Sequence, residues 1–160
     1  MFSPQFSALL LIGAAASAHA NAWSYRTSEE PMSGKKSFYA SQQSQNVIEF
    51  NWPYQGPQKA TILLRKHPRY GQDVIIFIER GQFMCSAGGS HCDVVAKFDG
   101  AAPITLETSL PDDFDSTKVF VRGDARFIRL LKKSKRLLIE ASFFKEGTRV
   151  FEFNVDGLDW

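Results

Sequence analysis

Few side chains in this 160-residue chain are of types that do chemistry, and their spacing limits what each could do. His67 stands among positive neighbours in the run Lys66-His67-Pro68-Arg69 and reads as an exposed turn histidine. His91 precedes Cys92 and Asp93, three ligand types in a row. Successive strand residues point to opposite faces, so the three cannot converge on one ion. Asp112, Asp113 and Asp115 group hard oxygen donors, but they lack the alternating spacing and bidentate glutamate of a calcium loop and read as a solvated turn. There is no G-x-S-x-G elbow, and Gly81, Gly88 and Gly89 match no phosphate-binding fingerprint. The expectation is no catalytic residue, no metal and no cofactor.

Cys85 and Cys92 are the chain's two cysteines. Their spacing is not the C-x-x-C of redox pairs, and in an oxidising compartment they are expected to form a structural disulfide. Closing so short a loop restricts the unfolded chain by about 2.5 kcal/mol in the loop-entropy picture.

The basic residues carry the strongest functional signal. Arg122, Arg126, Arg129, Lys132, Lys133, Lys135 and Arg136 crowd one short stretch, and Arg65, Lys66, His67 and Arg69, with Tyr70, form a second group. Formal net charge is only +2, so any electrostatic function rests on local clustering and not on a whole-molecule field. The clusters point to an anionic partner, such as an envelope protein, an acidic glycan or a lipid surface. Nucleic acid is disfavoured by the modest net charge and by export. Trp23, Tyr25, Trp52, Tyr54 and Tyr70 fall near strand ends or turns, where they pack at a rim or form an aromatic patch.

Export is read from residues 1–20, MFSPQFSALLLIGAAASAHA. The apolar run from Phe6 to Ala16 is too short to span a bilayer, and Ala18-His19-Ala20 is an A-x-A cleavage pattern, so the segment predicts a signal peptide cleaved near Ala20. The n-region departs from the usual pattern in having no Lys or Arg. Residues 21–160 then form a single β-rich domain, periplasmic or secreted and not transmembrane.

Short alternating runs separated by turn residues fill that domain. Strands are expected at 21–26, 37–41, 47–52, 60–65, 74–78, 94–98, 104–110 and 118–121, and the chain closes in a hairpin over 137–144 and 149–155. Residues 60–98 read as a β-meander, with Val74 to Ile78 covered on both faces and the third strand held by the disulfide. The period changes once. Phe127, Ile128 and Leu131 follow helical spacing after Asp124, the expected N-cap, which gives one helix over about 124–134 with Lys132, Lys133 and Lys135 in its last turn. The fold class is mostly β, an antiparallel β-sandwich or partly closed barrel with one helix in its C-terminal half and one disulfide.

The early W-x-Y with P-M-S-G-K-K, the block L-R-K-H-P-R-Y-G-Q-D-V-I, the segment I-E-R-G-Q-F-M-C and the ending F-E-F-N-V-D-G-L resemble a group of small, uncharacterised exported bacterial proteins, some of them prophage-associated. In its layout the chain is more loosely similar to the periplasmic VasI family of type VI secretion accessories and to invasion-associated locus B proteins. The resemblance implies an envelope location and carries over no catalytic residue. Together with the basic clusters it leads to the expectation of a non-enzymatic binding module of the bacterial envelope. The alternatives are a structural envelope component or a hydrolase of unknown type.

Overall fold

The structure, a computed structural model, describes residues 23–160; the expected signal peptide lies outside the described residues. Twelve strands are laid out as β1 Ser24–Glu29, β2 Lys36–Gln43, β3 Ile48–Phe50, β4 Gly56–Gln58, β5 Ala60–His67, β6 Gly71–Ile78, β7 Val94–Phe98, β8 Ile104–Thr105, β9 Thr108–Ser109, β10 Lys118–Val121, β11 Arg136–Phe143 and β12 Gly147–Asn154. One helix, α1 Asp124–Lys133, precedes the last two strands. The strands form a six-stranded sheet in the order β1-β2-β5-β6-β10-β9, a four-stranded sheet in the order β12-β11-β7-β8, and the small β3-β4 hairpin. Every pairing is antiparallel. The sheets are open, so the expected mostly-β fold with one helix and one disulfide is realised as a sandwich and not as a closed barrel.

Period-two alternation decides which side chains the two sheets share. Ala40, Ile62, Leu64, Val74, Ile76, Ile78, Val119 and Val121 line the inner face of the large sheet. Val94, Ala96, Leu137, Ile139, Phe151 and Phe153 face them from the small one. Phe127, Ile128 and Leu131 of α1 close one end of this core, and Phe127 meets Phe98 edge-on, with ring centroids 5.5 Å apart.

The meander expected over 60–98 is corrected. β5 and β6 pair as expected, with the turn reduced to Pro68–Tyr70, but β7 belongs to the opposite sheet, beside β11. The chain crosses between the layers at Gly81–Cys85. Gly81 has φ 128°, and a Cβ there would lie 2.6 Å from the Ile78 side chain, so the crossing needs glycine. Phe83 N–H then donates to Ser116 O, and the next amide, Met84, donates to Ser142 O in the small sheet. Cys85 and Cys92 form the disulfide and pair as an isolated antiparallel bridge. The bond therefore closes a hairpin at the corner between the two sheets.

Three further expectations change. The single strand expected over 104–110 divides: β8 pairs with β7, Glu107 O accepts from Arg122 N–H, and β9 pairs with β10, so this run is the second crossing between sheets. Val74, Ile76 and Ile78 are in the core and Ile75 is buried at 6% exposure on the other face, but Phe77 beside it is only half-buried, so the outer face of β6 is covered in part and not along its whole length. Asp124 is the first residue of α1 and not its cap. Gly123, at φ 71°, holds the cap position, and the Asp124 carboxylate accepts from Gln72 Nε2 at 2.6 Å.

Candidate functional site

One row of side chains crosses the end of the large sheet just beyond the core: Thr27 on β1, Phe38 on β2, Lys66 on β5 and Gln72 on β6. The neighbouring row, Ala40, Leu64 and Val74, is wholly buried, so this row marks where the second layer stops. The segment after β12 folds over the uncovered row. Trp160 Nε1 donates to Gln72 Oε1 at 3.2 Å, and the Lys66 ammonium lies 5.1 Å from the Trp160 ring centroid. Lys132 of α1 donates to the main-chain oxygen of Trp160, and Asp159 N–H donates to Tyr25 Oη at 2.8 Å.

This arrangement joins the two basic clusters that the sequence kept apart. Gln72 holds α1 through Asp124 and the final segment through Trp160, and it sits opposite Lys66 in the β5-β6 ladder. Lys66 and Lys132 then meet the same residue, one on its ring and one on its backbone. Arg126, Arg129 and Lys133 are exposed on α1 and make no ion pair among the described residues. Unpaired like charges grouped this way set up a local positive potential that a net charge of +2 conceals.

Not every expected member of the site belongs to it. Arg65 points to the opposite face of the sheet, where its guanidinium grips Asp73 at 2.5 and 2.9 Å, so its charge is spent within the protein. Lys135 is not in the last turn of α1: the helix stops at Lys133, Ser134 caps it, and Lys135 leads into β11. There the Asp99 carboxylate accepts from the Arg136 and Lys135 amides at 2.9 and 3.0 Å. Those two bonds, helped by the Lys135 charge, hold the Asp99 pKa below the usual aspartate value. Arg136 is paired with Glu152 at 2.7 Å. In the turn, His67 Nδ1 accepts from the Arg69 amide at 3.1 Å, and its ring lies 4.6 Å from that of Tyr70, which also carries the Arg69 guanidinium at 5.5 Å. His67, Arg69 and Tyr70 thus form a compact exposed knuckle beside Lys66.

Beside the Trp160 contact lies a groove of about 390 Å³, lined by Tyr25, Thr27, Phe38, Lys66, Asp159 and Trp160. Arg26 and Tyr39 border it as well, but alternation sends their side chains to the other face, where Arg26 stacks on Tyr39 at 4.6 Å. Tyr25 and Phe38 are 49% and 46% exposed, which is high for aromatic residues inside regular strands. Of the aromatic residues singled out in the sequence, Tyr25 alone joins this groove. Trp23 is buried and donates to Val155 O, Tyr54 packs against the core, and Trp52 stands elsewhere beneath Lys145 at 5.3 Å.

The remaining candidates are separate from this end. His91 Nε2 and Asp93 Oδ1 are 3.8 Å apart on the exposed side of the segment that leads into β7, while Cys92 between them is buried in the disulfide. Asp115 pairs with Lys118 at 2.7 Å and accepts from the Thr117 hydroxyl and amide, bonds that lower its pKa to about 2. Among the described residues, no three His, Cys, Asp or Glu side chains are grouped to hold a metal ion. No helix among them is long and apolar enough to cross a membrane.

Gln72, Phe38 and Trp160 went unnoticed as site residues in the sequence. Their roles depend on cross-strand register and on the path of the chain after β12, neither of which leaves a local pattern. Comparison with protein-family models, with curated proteins and with solved structures finds no match.

Proposed function

We propose that this chain is an exported, non-enzymatic binding module of the bacterial envelope that contacts an anionic partner, a protein or an acidic glycan or lipid, through its basic end. The observation that carries this reading is the convergence of Lys66 and Lys132 on Trp160, which brings the 65–70 turn and the last turn of α1 to one end of the sandwich. A binding surface needs cations that are not already satisfied, and Arg126, Arg129 and Lys133 meet that condition where Arg65 and Arg136 do not. The export leader read in residues 1–20 and the Cys85–Cys92 disulfide both suit an oxidising compartment outside the cytoplasm.

Co-sedimentation of the domain with isolated bacterial envelopes tests the proposal. Saturable binding at low salt, lost at high salt and lost in Arg126→Glu/Arg129→Glu/Lys133→Glu, is expected, because exposed charge pairs are screened by salt. No sedimentation, or sedimentation indifferent to both changes, would contradict it.

A second reading, a self-associating structural component, is favoured by one feature. Edge strand β1 is exposed along all six residues and pairs only through its β2 side. Open edges of that length are templates for strand addition. Sedimentation velocity separates the two readings: a concentration-dependent dimer supports the structural role, and a monomer at all concentrations removes it.

A further inference from the structure

The groove between β1, β2 and the Asp159–Trp160 segment has the makings of a ligand site more selective than a charged surface. Its walls are aromatic faces, its polar groups are few, and its volume of about 390 Å³ falls within the range of small-ligand pockets. Two of its aromatic side chains are half exposed although they sit in regular strands, so they offer ring faces to whatever enters. The third, Trp160, is fixed in position by Gln72, by Lys132 and through its neighbour Asp159 by Tyr25. Lys66 rests over Trp160, an exposed cation parked on a ring face and ready to exchange that weak contact for an anion. At the last turn of α1, Lys132 bonds the main-chain oxygen of Trp160, and Lys133 follows it.

We propose that this groove binds the acidic sugar units of an anionic glycan. A pyranose ring presents a face of polarised C–H bonds, which suits the negative face of an aromatic ring. Its carboxylate would displace Lys66 from Trp160 into a charge-assisted hydrogen bond. Its hydroxyls find an acceptor in Asp159. An acidic peptide could use the lysines and arginines but has no equivalent use for three ring faces around one slot, and a lipid surface would not enter it. The site rests on the anion-binding reading given above and names its ligand class.

The probe is an acidic tetrasaccharide, tetragalacturonate, titrated calorimetrically into the domain, with maltotetraose as the uncharged control and long polygalacturonate as the polymer. Tetragalacturonate is expected to bind and maltotetraose to bind at least about tenfold more weakly, a difference of about 1.4 kcal/mol. Phe38→Ala and Lys66→Met should each weaken the tetrasaccharide at least about tenfold. Thr27→Trp, which fills the slot from an exposed strand position and removes no packing, should do the same. Circular dichroism reports that each variant is folded. The helix variant Arg126→Glu/Arg129→Glu/Lys133→Glu should weaken the polymer strongly and the tetrasaccharide only slightly. If the polymer binds and the helix variant abolishes it while the groove variants match wild type, the groove proposal is wrong and the anion-binding reading stands. Equal binding of both tetrasaccharides overturns the assignment to an acidic sugar. If neither polymer nor tetrasaccharide binds, the glycan assignment falls, and the envelope assay above decides the broader reading separately.

Discussion

Gln72 Oε1 accepts a hydrogen bond from Trp160 Nε1 at 3.2 Å, while the same side chain donates through Nε2 to Asp124 at 2.6 Å. One strand residue therefore fixes both the start of the helix and the end of the described chain. The basic end of the molecule depends on that double contact.

Gln72→Leu removes both bonds and leaves the indole N–H and the Asp124 carboxylate to water. A net loss of about 1–2 kcal/mol is expected, since each intramolecular hydrogen bond contributes about 1 kcal/mol. Urea unfolding measures the loss. Affinity for a polyanion should fall as well, because Trp160 no longer holds Lys66 and Lys132 together. Stability lost with unchanged affinity would show that the contact is only structural.

The turn knuckle predicts the opposite pattern. Lys66→Glu with Arg69→Glu should weaken anion binding by about tenfold or more while shifting the melting temperature by no more than about 2 °C, because surface charges contribute little to stability. Both residues are exposed. A large loss of stability would mean that the turn is a packed element.

How much of this was legible in the sequence follows from which contacts are local. The alternation of Leu137–Phe144 and Arg149–Val155 and the helical spacing of Phe127, Ile128 and Leu131 are local patterns, and the elements stand within two residues of where those patterns lie. The two crossings between sheets were not legible. A strand reads the same whichever sheet receives it, so Val94–Phe98 looked like a continuation of the β5-β6 hairpin and Ile104–Leu110 like one strand. The basic clusters were visible as composition, but their meeting around Trp160 depends on the Lys66–Gln72 register and on a contact across 88 residues. The pairing of Arg65 with Asp73 and of Arg136 with Glu152 was equally invisible, and these pairs remove two cations from the apparent patch.

Glu146 gives a stability prediction away from the site. Its side chain is fully buried, accepts from the Asn51 amide at 2.7 Å and pairs with Arg149 at 3.1 Å, and so ties the β3-β4 turn to the β11-β12 turn. Glu146→Leu leaves the Asn51 amide and the half-exposed Arg149 without their partner, and a cost of about 2–3 kcal/mol is expected by urea unfolding. A change below about 0.5 kcal/mol would show that water replaces the carboxylate without penalty.

The acid limb of stability should contain a contribution from Asp115. Lys118 and Thr117 lower its pKa to about 2 from an ordinary value of 3.8, so the unfolded chain takes up the proton first as pH falls. The contribution is fully present above about pH 4 and is lost as pH drops towards 2. Asp115→Asn should flatten the melting temperature against pH in that window and leave its shape near neutrality unchanged. An acid limb that matches wild type would place the linkage elsewhere.

The central claim, that both basic clusters act as one anion-binding end, is tested most directly by the salt needed to elute four proteins from immobilised heparin. They are wild type, Lys66→Glu/Arg69→Glu, Arg126→Glu/Arg129→Glu/Lys133→Glu, and the combination. Retention of wild type well above that of a weakly basic protein is predicted, with each set alone removing most of it and the combination adding little, because contiguous sites couple. Elution of wild type at low salt, or strictly additive losses from the two sets, would contradict the claim.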